Sequence, residues 1–97
     1  MKIDKKVNGN ELILSLDGRL DTITSPELEK EVADLSNVKS LIIDFEKIEY
    51  ISSAGLRVLL SCQKKMNQQG SMIIKNVKEE VKSVFDMTGF SDILIIE

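Results

Sequence analysis

The sequence predicts an α/β domain with a single mixed, mostly parallel sheet, packed with α-helices and opened by a β-hairpin. Three observations predict it. Two short extended segments flank a turn cluster near the N-terminus. After them, apolar strand-like runs alternate with stretches of helical periodicity. The resulting order, β-β-α-β-α-β-α-β, separates the last four strands by helices and so requires right-handed parallel crossovers. A chain of 97 residues makes one domain over residues 1–97, since domains usually run to about 50–250 residues. Surface scaling gives about 5,600 Å² exposed when folded against about 15,800 Å² when extended, enough burial for one core without a staple.

Residues 2–7 and 11–17 read as the hairpin strands around Asn8-Gly9-Asn10, a cluster in which Gly9 accepts positive φ. In the second strand Leu12, Leu14 and Leu16 alternate with polar neighbours, although Ile13 makes the other face partly apolar. Gly18-Arg19-Leu20-Asp21 is expected to lead off the strand into a polar loop. A first helix starts at Thr24-Ser25-Pro26-Glu27: Ser25 suits the cap, Pro26 the first helical position, and Glu27 and Glu29 the positive end of the dipole. Leu28, Val32 and Leu35 form its apolar stripe, and the helix is expected to stop near Ser36-Asn37.

Residues 40–45 are a strand whose nearly continuous apolar centre suggests cover on both faces. A long helix is expected from about residue 53 to Gln69, closed by Gly70 in a left-handed exit. Residues 71–75 are a strand, Lys78 to Met87 a third helix stopped by Gly89, and Ile93 to Ile96 a last strand. Met66, Met72 and Met87 read as core filler, and Cys62 as a small buried hydrophobe with nothing to activate it. Sites in such sheets form where loops leave the carboxyl ends of strands, which points to residues 18–25 and 46–55.

Composition removes chemistry. With 0 His and 1 Cys, imidazole bases, Ser-His-Asp triads, structural zinc sites and an internal disulfide are excluded. The lone cysteine suits a reducing cytoplasm. Lys+Arg number 13 against 16 Asp+Glu, a net charge of -3, with no basic stripe and few aromatics, so no nucleic-acid partner is expected. No apolar run approaches the roughly 20 residues of a membrane span, and the N-terminus lacks a secretory stretch, so a cytoplasmic, membrane-free protein is expected.

One segment carries chemistry, Tyr50-Ile51-Ser52-Ser53-Ala54-Gly55-Leu56-Arg57. Two hydroxyls sit where a helix begins, beside unpaired N–H groups and a positive dipole end that would receive a phosphate. Gly55 costs helix propensity of about 1 kcal/mol against Ala, which suggests close backbone approach. Taken locally, a serine before a helix is more often only a cap, and such a glycine can simply admit a neighbouring strand. The run Lys78-Glu79-Glu80-Val81-Lys82, with Lys64 and Lys65, reads as solvated helix face, and Arg57 as a contact for an acidic partner or a phosphate.

Ser52-Ser53-Ala54-Gly55-Leu56 after an apolar-Asp-apolar strand resembles the signature of the STAS family, the bacterial anti-sigma factor antagonists. Gly18-Arg19-Leu20-Asp21 and Val84-Phe85-Asp86-Met87-Thr88-Gly89-Phe90 extend the resemblance along the whole chain. It implies a STAS fold and a non-enzymatic module without cofactor, metal or catalytic residue. It also implies phosphoacceptor Ser53 and a partner-facing surface of Asp21, Ser52, Ala54, Gly55, Leu56 and Arg57. The partners implied are an anti-sigma factor that is a serine kinase and a metal-dependent serine phosphatase; the free domain is expected to be a monomer. Ser52 stands where the family often has Asp, which removes a carboxylate beside the acceptor and makes Ser52 a competing acceptor. Two other readings remain: a non-switching scaffold in a stress-sensing or transporter complex, and a hydrolase using Ser53, for which no base is visible.

Overall fold

A computed structural model describes residues 1–97. In chain order it has β1 (Lys2–Asn8), β2 (Glu11–Leu20), α1 (Ser25–Glu31), β3 (Ser40–Ile51), α2 (Ser53–Asn67), β4 (Ser71–Lys75) and α3 (Glu79–Thr88), followed by a 3-10 turn at Phe90–Asp92. The strands form one sheet in the order β1-β2-β3-β4. The β1–β2 pair is antiparallel, its hairpin turning at Gly9 with φ 63°, and both other pairings are parallel. The expected α/β architecture is present, and its exposed surface of 5627 Å² matches that expected for a compact chain of this mass.

Strand periodicity places the core. Leu12, Leu14 and Leu16 of β2, Leu41, Ile43 and Phe45 of β3, and Met72 and Ile74 of β4 are buried and join the buried side chains of α1, α2 and α3 in one cluster. Ile13, Ile42 and Ile73 align in register on the opposite face and stay half-exposed. The helices therefore cover one face only, and the expectation that β3 is covered on both is corrected: Ile42 made the strand look continuous without being buried. Phe85 of α3 packs on Phe45 with ring centroids 6.2 Å apart, a contact worth about 0.5–1.5 kcal/mol beyond area burial. This accounts for Phe85 in the Val84–Phe90 motif.

Several boundaries differ from expectation. α1 ends at Glu31 rather than near Ser36, and Val32 and Leu35 stay buried in the turn that follows. Gly70 does not make a left-handed exit; positive φ among glycines occurs at Gly9, Gly18 and Gly89. It is required because a Cβ there would lie 2.0 Å from the carbonyl oxygen of Lys39. Gly89, at φ 80°, does stop α3 as expected. The expected last strand reduces to a single parallel bridge between Ile74 and Ile96. Met87 is 87% exposed, so it is not core filler; Met66 and Met72 are fully buried.

The largest differences concern the carboxyl ends of β2 and β3. Both strands continue past their expected ends, with register irregularities between Ser15 and Asp17 and between Gly18 and Arg19. Gly18 takes φ 120° there, a conformation that favours glycine. The expected loops at 18–25 and 46–55 shrink to Asp21–Thr24 and the single residue Ser52.

Candidate functional site

Ser52 joins strand to helix. Its N–H donates to the carbonyl of Leu20 at 2.9 Å, in line with the β2–β3 ladder, and its carbonyl accepts the first intrahelical bond from Leu56 N–H at 3.0 Å. With φ -104° and ψ 176° it has the backbone of an N-cap, but its side chain makes no cap bond. The hydroxyl is shielded from solvent and unpartnered. Ser53, the first residue of α2, is exposed. The first turn of α2 contains no acidic residue, so the positive end of its dipole is uncompensated.

Gly55 is buried because β2 and β3 end against it. A Cβ at this position would lie 2.8 Å from Leu20 Cγ, 2.9 Å from Ile51 Cγ1 and 3.0 Å from Leu20 O. The close approach anticipated from sequence therefore comes from the chain itself. Leu56 is 6% exposed and belongs to the core. Two residues expected on the partner-facing surface, Gly55 and Leu56, are thus corrected: they lie beneath that surface and support it. Ser53 and Arg57 are exposed and Ala54 is half-buried.

Asp21 organises the neighbouring loop. Its Oδ1 accepts from the N–H groups of Ile23 and Thr24, both at 3.0 Å. Thr24 Oγ1 accepts from Asp21 N–H at 2.9 Å and donates to the carbonyl of Arg19 at 2.5 Å. The Thr24 N–H bond outweighs the opposing effect of desolvation and, with help from the Thr24 hydroxyl, the Ile23 N–H and the Arg19 cation, holds the Asp21 carboxyl below its usual value. Asp21 Oδ2 lies 3.7 Å from Arg19 Nε.

Sequence reasoning missed one pair. Arg19 and Tyr50 face each other across the β2–β3 ladder, and the guanidinium carbon sits 4.1 Å from the ring centroid. Such an exposed cation–π contact is worth about 0.5–1 kcal/mol. Both residues lie in segments that read as loop, so nothing indicated that they were paired.

Between α1 and α2 runs a groove of about 220 Å³ lined by Thr22, Ser25, Pro26, Glu29, Ala54, Arg57 and Val58. Ser25 was expected to cap α1; the helix begins with it instead, Thr24 holding the cap position, and its hydroxyl is buried without a partner. A second hollow, about 250 Å³, lies away from this site among Lys2, Asp4, Ser15, Asp17, Asp44 and Glu46. No three His, Cys, Asp or Glu side chains are grouped to hold a metal ion. Cys62 is 1% exposed, and burial pushes its thiol up to about 11, as suits a packed hydrophobe. No helix is long and apolar enough to cross a membrane.

A four-stranded mixed sheet with three helices on one face, displaying a serine at the start of its longest helix, defines a small α/β domain whose distinctive surface is one helix N-terminus and the loop beside it. The chain belongs to the STAS domain family, whose model matches residues 2–97. The BtrV protein of Bordetella bronchiseptica is 35% identical over 91% of this chain and 78% of its own length. The anti-sigma-B factor antagonist of Bacillus subtilis is 30% identical over 99% of this chain and 90% of its own. The structure of the Bacillus cell fate determinant SpoIIAA in its phosphorylated form superimposes with a TM-score of 0.77 over 99% of this chain and 91% of that one. At 18% identity that likeness concerns the fold.

Proposed function

We propose that this domain is an anti-sigma factor antagonist switched by phosphorylation of Ser53. With Ser53 free it binds an anti-sigma factor, itself a serine kinase, and a sigma factor is released to direct transcription. The kinase then transfers the γ-phosphoryl group of ATP: a bond forms between Ser53 Oγ and the γ-phosphorus, the bond to the β-phosphate oxygen breaks, the hydroxyl proton passes to a base on the kinase, and ADP leaves. The phosphorylated domain dissociates, and a metal-dependent serine phosphatase hydrolyses the ester to restore it. The domain supplies no catalytic group or cofactor to either reaction. An ATP-driven cycle of this kind belongs in the cytoplasm.

The observation that carries this reading is the exposed hydroxyl of Ser53 at the first position of α2, beside a shielded Ser52 hydroxyl. Asp21, Ala54 and Arg57 supply the surrounding contact surface, with Ser52 beneath. The relative named as an anti-sigma-B factor antagonist supports the role. A phosphate adds a charge of about -1.5 to -2, and a 100-fold loss of affinity needs only about 2.7 kcal/mol.

The test is to incubate the chain with its cognate anti-sigma factor and Mg-ATP and to map the modification by mass spectrometry. Phosphate is expected on Ser53. The Ser53→Ala variant should bind the anti-sigma factor without being labelled, and Ser53→Asp should bind at least about 100-fold more weakly, a loss of about 2.7 kcal/mol. Labelling of Ser52, or of neither serine, overturns the assignment.

A further inference from the structure

Arg57 follows Ser53 by four residues in α2. In a helix, side chains four apart lie on one face with Cβ atoms about 5–6 Å apart, and the orientation with the anion N-terminal to the cation is the favourable one. Arg57 is exposed and has no carboxylate within ion-pair distance. An uncommitted guanidinium, with its planar fork of donors, therefore stands one turn from an exposed hydroxyl, at a helix start that has neither a side-chain cap nor an acidic first turn.

A separate observation points the same way. Arg57 and Ala54 line one wall of the groove between α1 and α2, and Ser25 on the other is 3% exposed with a hydroxyl that meets no acceptor or donor. A buried hydroxyl without a partner is destabilising unless something completes it. Glu29 is the one carboxylate lining the groove, so a free anion arriving from solvent meets a like charge there. An anion covalently tethered at Ser53 is instead held on the Arg57 side.

We infer that Arg57 is a built-in receiver for a phosphate on Ser53. Once esterified, Ser53 folds its phosphate back along α2 onto the Arg57 guanidinium, at the edge of the groove that Arg57 and Ser25 line. The modified state is thereby held by the domain's own residues, and the dianion is presented in a fixed position. Arg57 acts as a positioning residue and takes no part in forming or breaking the ester. This inference rests on the assignment of Ser53 as the acceptor.

The test uses the full chain with phosphoserine incorporated at position 53 during synthesis, so it is independent of any kinase. Phosphorus NMR follows the second ionisation of the phosphate in the native sequence, in Arg57→Lys and in Arg57→Gln. The midpoint in the native sequence is expected below the value of about 6 for free phosphoserine. It should rise by at least about 0.3 units in Arg57→Gln, with Arg57→Lys between them. Circular dichroism verifies that each variant is folded. Equal midpoints in all three chains overturn the role of Arg57. Kinase labelling at another residue overturns the acceptor assignment alone and leaves this titration unchanged, so the two failures are distinguishable.

Discussion

Helices α2 and α3 leave neighbouring parallel strands at the same end of the sheet, yet they begin in opposite ways. The first turn of α3 carries Glu79 and Glu80, charges that complement the dipole, and its third residue, Val81, is 1% exposed and packs into the core. The first turn of α2 has no acid, and its third residue is Gly55. α3 follows the charge and propensity rules for starting a helix, although Lys78 holds its cap position and, as at α2, no side chain caps it. α2 departs from both rules and depends on packing for its stability. Such departures are expected where a surface is shaped for something other than stability, and here they coincide with the exposed serine.

Replacing Gly55 by Ala tests the propensity half of the contrast and should have the largest effect. The gain of about 1 kcal/mol in helix propensity is opposed by the collision with Leu20 and Ile51. A net destabilisation of about 1–3 kcal/mol is expected, read by urea unfolding. At α3, Glu80→Ala meets no such obstacle and should cost less than about 1 kcal/mol. A stabilised Gly55→Ala variant would mean that the strand ends yield freely.

Charge should separate the two helix starts with opposite signs. Glu79→Gln and Glu80→Gln should each lower stability by about 0.3–1 kcal/mol, while Ser53→Glu should raise it by a similar amount. Melting temperatures should move by roughly 4–8 °C per kcal/mol in a domain of this size, and the differences should shrink in high salt.

The smallest expected effect belongs to the loop beside α2. The Asp21 carboxyl is held below its usual value by bonds to Thr24 and Ile23. Its contribution is therefore fully present above the unfolded value of about 3.9 and is lost as pH falls through the lower folded value. Asp21→Asn should be less stable than the native sequence at neutral pH, and the gap should close below about pH 4. A gap that widens on acidification would contradict the loop's assigned hydrogen bonding.

Helix α3 was legible because Glu79, Glu80 and Val81 serve its start and Gly89 its end. The strand Ser71–Lys75 was legible for a similar reason, being short and bounded by turns. The end of β3 was not legible. Beyond Asp44 it loses β4 as a neighbour and is paired with β2 alone, so Glu46, Lys47, Glu49 and Tyr50 can face solvent and read as loop. Ile48 and Ile51, buried three residues apart, break the twofold alternation that marks a strand. At the site, the type and position of Ser53 were visible in the chain. The burial of Leu56 follows from its place in the apolar arc of α2, whereas the pairing of Arg19 with Tyr50 depends on how far the strands run and so required the tertiary structure.

The one-residue joint at Ser52 has a consequence for the entropy of association. Fixing the backbone of a flexible residue costs about 1–2 kcal/mol, so a docking partner that had to order a five-residue loop would forfeit about 5–10 kcal/mol of its contact energy. Here the ladder bond from Ser52 to Leu20 and the packing of Gly55 against the strand ends have met that cost during folding. A protein that engages the start of α2 finds it already ordered, and a small interface suffices to hold it.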